Sequence, residues 1–124
     1  MEISCGADII EIDRVKKLVD DGGKTALDKL FSASEQEYCE SKKQVKYQHY
    51  AVRFSAKEAI FKAISNRLND KFEVSWTDVE IINDKNGRPA VNFIRNEPRG
   101  MKKIDISLSH CREYAVAYVI ATWE

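Results

Sequence analysis

The chain has 124 residues, 44% apolar and 32% charged, with twenty basic residues balanced by twenty acidic ones. That length suits a single domain spanning residues 1–124 with its own core, and a formal charge of zero leaves no global field to recruit nucleic acid or an anionic membrane. Three cysteines without CxxC spacing, no apolar run near the ~20 residues of a membrane span, and no secretory pattern at the start point to a reducing cytoplasm. Neither a disulfide framework nor a cysteine-bound zinc is expected.

In chain order, "ISCGADII" reads as a short apolar strand interrupted by Gly6 and Asp8. "EIDRVKKLVDD" follows as a helix, with Ile12, Val15, Leu18 and Val19 at helical spacing and Gly22-Gly23 as its stop. "ALDKLF" is a shorter amphipathic piece. Ser34 with Glu37 three residues on resembles a capping box. A long helix is expected over roughly Val45 to Leu68.

The period then changes. "DVEIIND" and "AVNFI" flank Lys85-Asn86-Gly87-Arg88-Pro89, and Asn-Gly between strands signals a hairpin. "KIDISLSH" alternates, with Ile104, Ile106 and Leu108 on one face and Asp105, Ser107 and Ser109 on the other. "YAVAYVIATW" is almost wholly apolar and reads as a central strand. The expected architecture is α+β: a small antiparallel sheet packed around a long central helix.

The long helix refuses to sort into a wet and a dry face. At about 100° per residue from Arg53, Lys57 falls near 40°, Phe61 near 80°, Phe54 near 100°, Glu58 near 140° and Lys62 near 180°. Val52, Ala56, Ala59, Ile60 and Ala63 occupy the opposite, small and apolar side. Glu58 and Lys62 are one turn apart, and as a surface ion pair they would contribute ~0.3–0.5 kcal/mol. Their aromatic neighbours favour a second reading, because a buried carboxylate is costly unless paired or bound to a metal. Asp8, in an apolar strand just after Gly6, is a second carboxylate of this kind.

Two carboxylates without His or Cys suit Mg²⁺, which takes oxygen ligands and is often completed by substrate phosphates. With Arg53, Lys57 and Lys62 as phosphate partners, the set fits a pyrophosphate held between a metal and a basic shelf. His110, at the end of "SLSH", is either a structural histidine or a ligand-facing donor. Ser109, His110 and Cys111 form no nucleophile pair, since adjacent strand residues point to opposite faces and no G-x-S-x-G elbow is present. Arg14, Lys16 and Lys17 make the first helix basic, either as a solvated face or as a docking patch for an acidic protein.

These blocks carry a family likeness. "GADIIEIDRV", "RFSAKEAIFKA", "NGRP" and "ISLSH" resemble, in order, four blocks of the holo-(acyl-carrier-protein) synthases and together span almost the whole chain. The resemblance implies a 4′-phosphopantetheinyl transferase, which moves the phosphopantetheine arm of coenzyme A onto a serine of apo acyl carrier protein and releases adenosine 3′,5′-bisphosphate. It implies that Asp8 and Glu58 bind Mg²⁺ with the coenzyme's pyrophosphate and that Lys62 stabilises charge there, these three being the catalytic set. Arg53, Lys57, Lys62, Gly87, Arg88, Pro89 and His110 would line the coenzyme site, and Arg14 would pair with acidic residues of the carrier protein. Glu58 would take the serine proton, directly or through a metal-held water.

The resemblance further implies a cytoplasmic enzyme of fatty acid biosynthesis and a homotrimer with active sites between subunits. That arrangement would bury the charged stripe of the long helix with a neighbouring subunit and a ligand. Two departures stand out: "ISNRLNDKF" lacks the glycines expected after Lys62-Ala63, so no contacts carry over at Ser65 to Asp70, and Ala7 replaces a larger apolar residue. Two other readings stay open. One is a non-catalytic relative that binds coenzyme A or a carrier protein, and the other is a Mg²⁺-dependent phosphohydrolase, for which no extra acidic cluster supplies a water.

Overall fold

The computed structural model describes residues 1–124. A long strand β1 (Glu2–Glu11) leads into helix α1 (Ile12–Leu30), then α2 (Ala33–Ser41) and the long helix α3 (Lys46–Ile64). Strands β2 (Val79–Asn83), β3 (Pro89–Phe93), β4 (Met101–His110) and β5 (Tyr114–Trp123) complete the chain. They form a three-stranded antiparallel sheet in the order β1-β5-β4 and a separate β2-β3 hairpin. The α+β expectation holds, with β5 central as its composition indicates.

Small residues set the spacing between α3 and the sheet. Ala56, Ala59 and Ala63 are fully buried against Ala117, Val119, Ala121 and Trp123 of β5. Beneath them Gly6 is required: a Cβ there would lie 2.0 Å from the Ala59 carbonyl oxygen. Ser4 then donates to the Ala63 carbonyl at 2.6 Å and accepts from the Trp123 indole at 2.8 Å, fixing the far end of the same contact. Thus β1 and α3 run antiparallel in close register. A second apolar cluster joins the other flank of α3 (Tyr50, Ala51, Val52) to Val15, Val19, Phe31 and Cys39.

The sheet's other face is uncovered within this chain. Ile3, Ile9, Val116, Tyr118 and Ile120 are 62%, 65%, 38%, 51% and 39% exposed. So β5 reads as continuously apolar although only its alternate residues meet α3. No helix is long and apolar enough to cross a membrane.

Gly23 (φ 60°, ψ −150°) breaks α1 into two helical pieces, as the glycine pair and the separate piece "ALDKLF" indicate. Two other boundaries differ from the sequence reading. The capping box at the start of α2 is Ser32 with Glu35, two residues earlier than Ser34 with Glu37. Helix α3 ends at Ile64 and passes into a 3₁₀ turn at Ser65–Arg67.

Candidate active site

The free edge of β1 and one flank of α3 bring Asp8, Glu58 and Lys62 together. Ser55 Oγ donates to the Asp8 carbonyl at 2.9 Å and lies 3.1 Å from Asp8 Oδ2, which locks the carboxylate to the helix. Lys62 Nζ reaches the Ala7 carbonyl at 2.9 Å and Asp8 Oδ1 at 3.3 Å, using backbone that an edge strand leaves unpaired. The Lys62 side chain is 54% exposed and that of Asp8 is 16% exposed.

Glu58 makes no ion pair. Partial burial holds its carboxyl above the usual range; the negative charge of Asp8 adds to this and Lys62 opposes it. Two neighbouring carboxylates served by one lysine form a site that an added cation would neutralise. The donors are all oxygen and only two carboxylates are available, as no cluster of three or more His, Cys, Asp or Glu exists. That set fits Mg²⁺, whose remaining positions go to water and phosphate oxygens.

Arg53 and His110 lie on the other side of α3. By helix geometry Arg53 is about 140° round from Glu58 and about 180° from Lys62. Its guanidinium sits 4.3 Å from the centroid of the Tyr38 ring, and His49 and His110 face each other beside it with ring centroids 6.3 Å apart. Arg53 is 4% exposed, yet its Nε has no partner and its one hydrogen bond reaches the His49 carbonyl at 3.5 Å. The helix therefore separates a carboxylate flank from a basic one.

Lys57 joins neither flank. It is fully buried, and its three ammonium hydrogens go to Glu35 Oε1 (2.7 Å), the Leu30 carbonyl (2.7 Å) and the Trp76 carbonyl (2.8 Å). No hydrogen is left for a ligand, which corrects its placement as a coenzyme-lining residue. Burial pushes its ammonium down, and the Glu35 carboxylate opposes that shift. Glu35 also accepts from the Ser32 and Ile81 backbone amides, both at 2.9 Å, so the pair ties α2, α3 and β2 together. The expectation that a neighbouring subunit buries the charged stripe is likewise corrected for Arg53 and Lys57: their own chain encloses them.

Gly87, Arg88 and Pro89 form the hairpin turn, with Gly87 at φ 82° and Asp84 accepting from the Asn86 and Arg88 amides. Arg88 approaches Asp105 at 4.0 Å and borders a shallow pocket on the sheet's outer face with Ser107, Tyr118 and Ile120. Arg14 is exposed on α1, six residues after Asp8. Ser65 to Asp70 form the 3₁₀ turn and the start of a loop.

Sequence reasoning missed Glu35, Ser55, His49 and Tyr38. Ser32-x-x-Glu35 fits the capping-box pattern as well as Ser34-x-x-Glu37 does, so Glu35 was within reach. Ser55 precedes Glu58 by three residues on the same side of α3.

A family model described as the 4′-phosphopantetheinyl transferase superfamily matches residues 4–119. The holo-[acyl-carrier-protein] synthase of Ruminiclostridium cellulolyticum is 42% identical over 97% of this chain and 92% of its own length. That of Geobacter sp. (strain M21) is 41% identical over 93% and 94%. The crystal structure of the holo-(acyl-carrier-protein) synthase from Bacillus anthracis in complex with CoA (3′,5′-ADP) superposes with a TM-score of 0.80 at 30% identity, covering 98% of this chain and 96% of that one.

Proposed function

The chain belongs to the 4′-phosphopantetheinyl transferase superfamily and moves the phosphopantetheine arm from coenzyme A to apo acyl carrier protein; we propose that it does so with Mg²⁺, through Asp8, Glu58 and Lys62, in sites shared between chains. The observation that carries this reading is the convergence of two carboxylates and one lysine on the free edge of β1. We read residues 1–124 as one catalytic unit acting in the cytoplasm, in fatty acid biosynthesis, with neither nucleic acid nor membrane as partner.

Asp8 and Glu58 hold the metal alongside the coenzyme's pyrophosphate. When bound, Mg²⁺ supplies neutralisation of phosphate charge and fixes the pyrophosphate's orientation. The carrier serine oxygen forms a bond to the β-phosphorus, the one bearing the pantetheine arm. The bond from that phosphorus to the bridging oxygen breaks, and adenosine 3′,5′-bisphosphate leaves. Glu58 receives the serine proton, and the Lys62 ammonium stabilises the charge left on the departing phosphate. Arg14 docks the acidic carrier.

A single chain separates its carboxylate flank from Arg53 and His110 by the thickness of α3. Gly87, Arg88 and Pro89 stand near the outer sheet face. A homotrimer that buries Ile3, Ile9, Val116, Tyr118 and Ile120 would bring one chain's basic flank and hairpin turn to another chain's carboxylate flank. The retained metal pair and Lys62 favour this enzyme over a relative that only binds coenzyme or carrier.

Mixing tests the shared site. Glu58→Gln chains and Arg53→Ala chains, each inactive alone, should regain part of the wild-type rate when unfolded and refolded together. Mixed assemblies then contain some sites built from two intact halves. No recovery from mixtures shown to contain both chains would contradict it, as would a fully active monomer by light scattering.

A further inference from the structure

Ser4, Gly6 and Asp8 of β1 meet α3 at Ala63, Ala59 and Ser55, two residues along the strand for every four along the helix. The two steps match in length, at about 6.8 Å on a strand and about 6.0 Å on a helix. The first rung is a hydroxyl from the strand, Ser4 Oγ donating to the Ala63 carbonyl at 2.6 Å. The second admits no side chain at Gly6. The third reverses direction: Ser55 Oγ donates from the helix to the Asp8 carbonyl at 2.9 Å and reaches Asp8 Oδ2 at 3.1 Å.

Ser55 is fully buried, and it departs from the habit of a helical serine, which returns its hydroxyl to the carbonyl four residues back. Its single hydrogen is shared between two oxygens of one residue, so one group holds both the backbone and the side chain of Asp8. Lys62 competes from the exposed side, its ammonium 3.3 Å from Asp8 Oδ1. The carboxylate thus lies between a buried donor on Oδ2 and an exposed cation on Oδ1.

We propose that Ser55 is a positioning residue for the divalent cation: it holds the Asp8 carboxylate beside Glu58 and keeps it from closing onto Lys62. This rests on the metal reading above. Ser55, Glu58 and Lys62 stand at about 200°, 140° and 180° on α3, one stripe facing Asp8. Without the hydroxyl, Asp8 is free to rotate and pair with Lys62 alone. That closer pair would withdraw one carboxylate from the cation and the lysine from the phosphate. With the hydroxyl in place, only the Ala7 carbonyl and Asp8 Oδ1 accept from Lys62, and one of its three ammonium hydrogens stays available.

Mn²⁺, standing in for Mg²⁺, reports its own binding through the EPR signal of the free ion and can be titrated into the intact protein without coenzyme or carrier. Ser55→Ala should weaken Mn²⁺ binding about tenfold, the usual scale for a residue that orients a metal ligand. In a Lys62→Met background the same substitution should cost less than about threefold, because the competing cation is gone and the two effects are coupled. Ser4→Ala removes the other hydroxyl rung without touching Asp8 and should leave Mn²⁺ affinity unchanged. Should Ser55→Ala not fold, Ser55→Cys keeps the shape with a weaker donor and should still lose about threefold.

Equal Mn²⁺ affinities in wild type and Ser55→Ala would overturn the inference and leave the transferase reading standing. A loss of the same size in both backgrounds, or one matched by Ser4→Ala, would also overturn it, since a hydroxyl that only braces the helix against the strand predicts that result. Affinities in the expected order, from a protein that modifies no carrier protein, would keep the role of Ser55 and remove the transferase reading.

Discussion

Lys57 and Lys62 lie five residues apart on one helix and share one sequence block, yet they meet opposite fates. The Lys57 side chain is 0% exposed, bonded to a carboxylate and two carbonyls; that of Lys62 is 54% exposed and bonded to Asp8 across the gap to β1. The difference comes from the partners each meets. At about 40° on α3, Lys57 points under the loop and hairpin that carry Trp76 and Ile81, where Glu35 waits. Lys62, at about 180°, points past the edge of the sheet into solvent. A charge of the same type serves the fold in one place and is left free to serve a ligand in the other.

The largest effect should come from breaking the buried member. Lys57→Met leaves Glu35 enclosed without its counter-charge and should cost about 3–5 kcal/mol of stability by denaturant unfolding. A loss below 1 kcal/mol would show that Glu35 finds water or another donor, and the structural role assigned to Lys57 would be withdrawn. Lys62→Met should reverse the pattern. Transfer should fall ~10²–10³-fold, while stability changes by less than about 1 kcal/mol because the pair is exposed and screened. A variant with full activity would remove Lys62 from the chemistry.

A smaller effect should follow from disturbing the contact that sets the exposed pair. Gly6→Ala places a methyl against the Ala59 carbonyl and should cost about 1–3 kcal/mol. It should also reduce transfer, because β1 carries Asp8 two residues later. Unchanged stability would mean that β1 shifts freely. The smallest effect concerns Glu58. Its folded-state carboxyl titrates above its ordinary value, so the ionised form burdens the fold. Metal-free Glu58→Gln should therefore be slightly more stable than wild type above the folded-state titration. The advantage should shrink as pH falls through that titration and vanish below ~4.3, where both states become protonated. An advantage that persists at pH 3 would point to another cause.

Much of the fold was legible because its signals are local. Alternation in "KIDISLSH", Asn86-Gly87 between two strands and the alanines of α3 each translate directly into the observed β4, the β2-β3 turn and the close helix–sheet contact. Asp8, Glu58 and Lys62 were legible as chemistry because charges in apolar settings need partners. What remained hidden depends on tertiary neighbours. The angle of Lys57 on α3 is compatible with a ligand or with Glu35, and only the placement of α2 decides. The overlapping serines at 32 and 34 allowed two capping frames. His49 and Tyr38 acquire meaning only once α2 lies beside the N-terminal half of α3. The uncovered outer face of β5 looks, in sequence, the same as a buried one.

The most direct test of the metal-dependent transfer assigned to the carboxylate flank is intact mass spectrometry of an apo acyl carrier protein incubated with this protein, coenzyme A and Mg²⁺. The wild-type chain should add the mass of one phosphopantetheine arm. Chelating the metal or substituting Glu58→Gln should abolish the gain in protein that remains folded. A folded wild-type sample that binds coenzyme A but modifies no carrier protein would contradict the account, as would a Glu58→Gln variant that transfers at the wild-type rate.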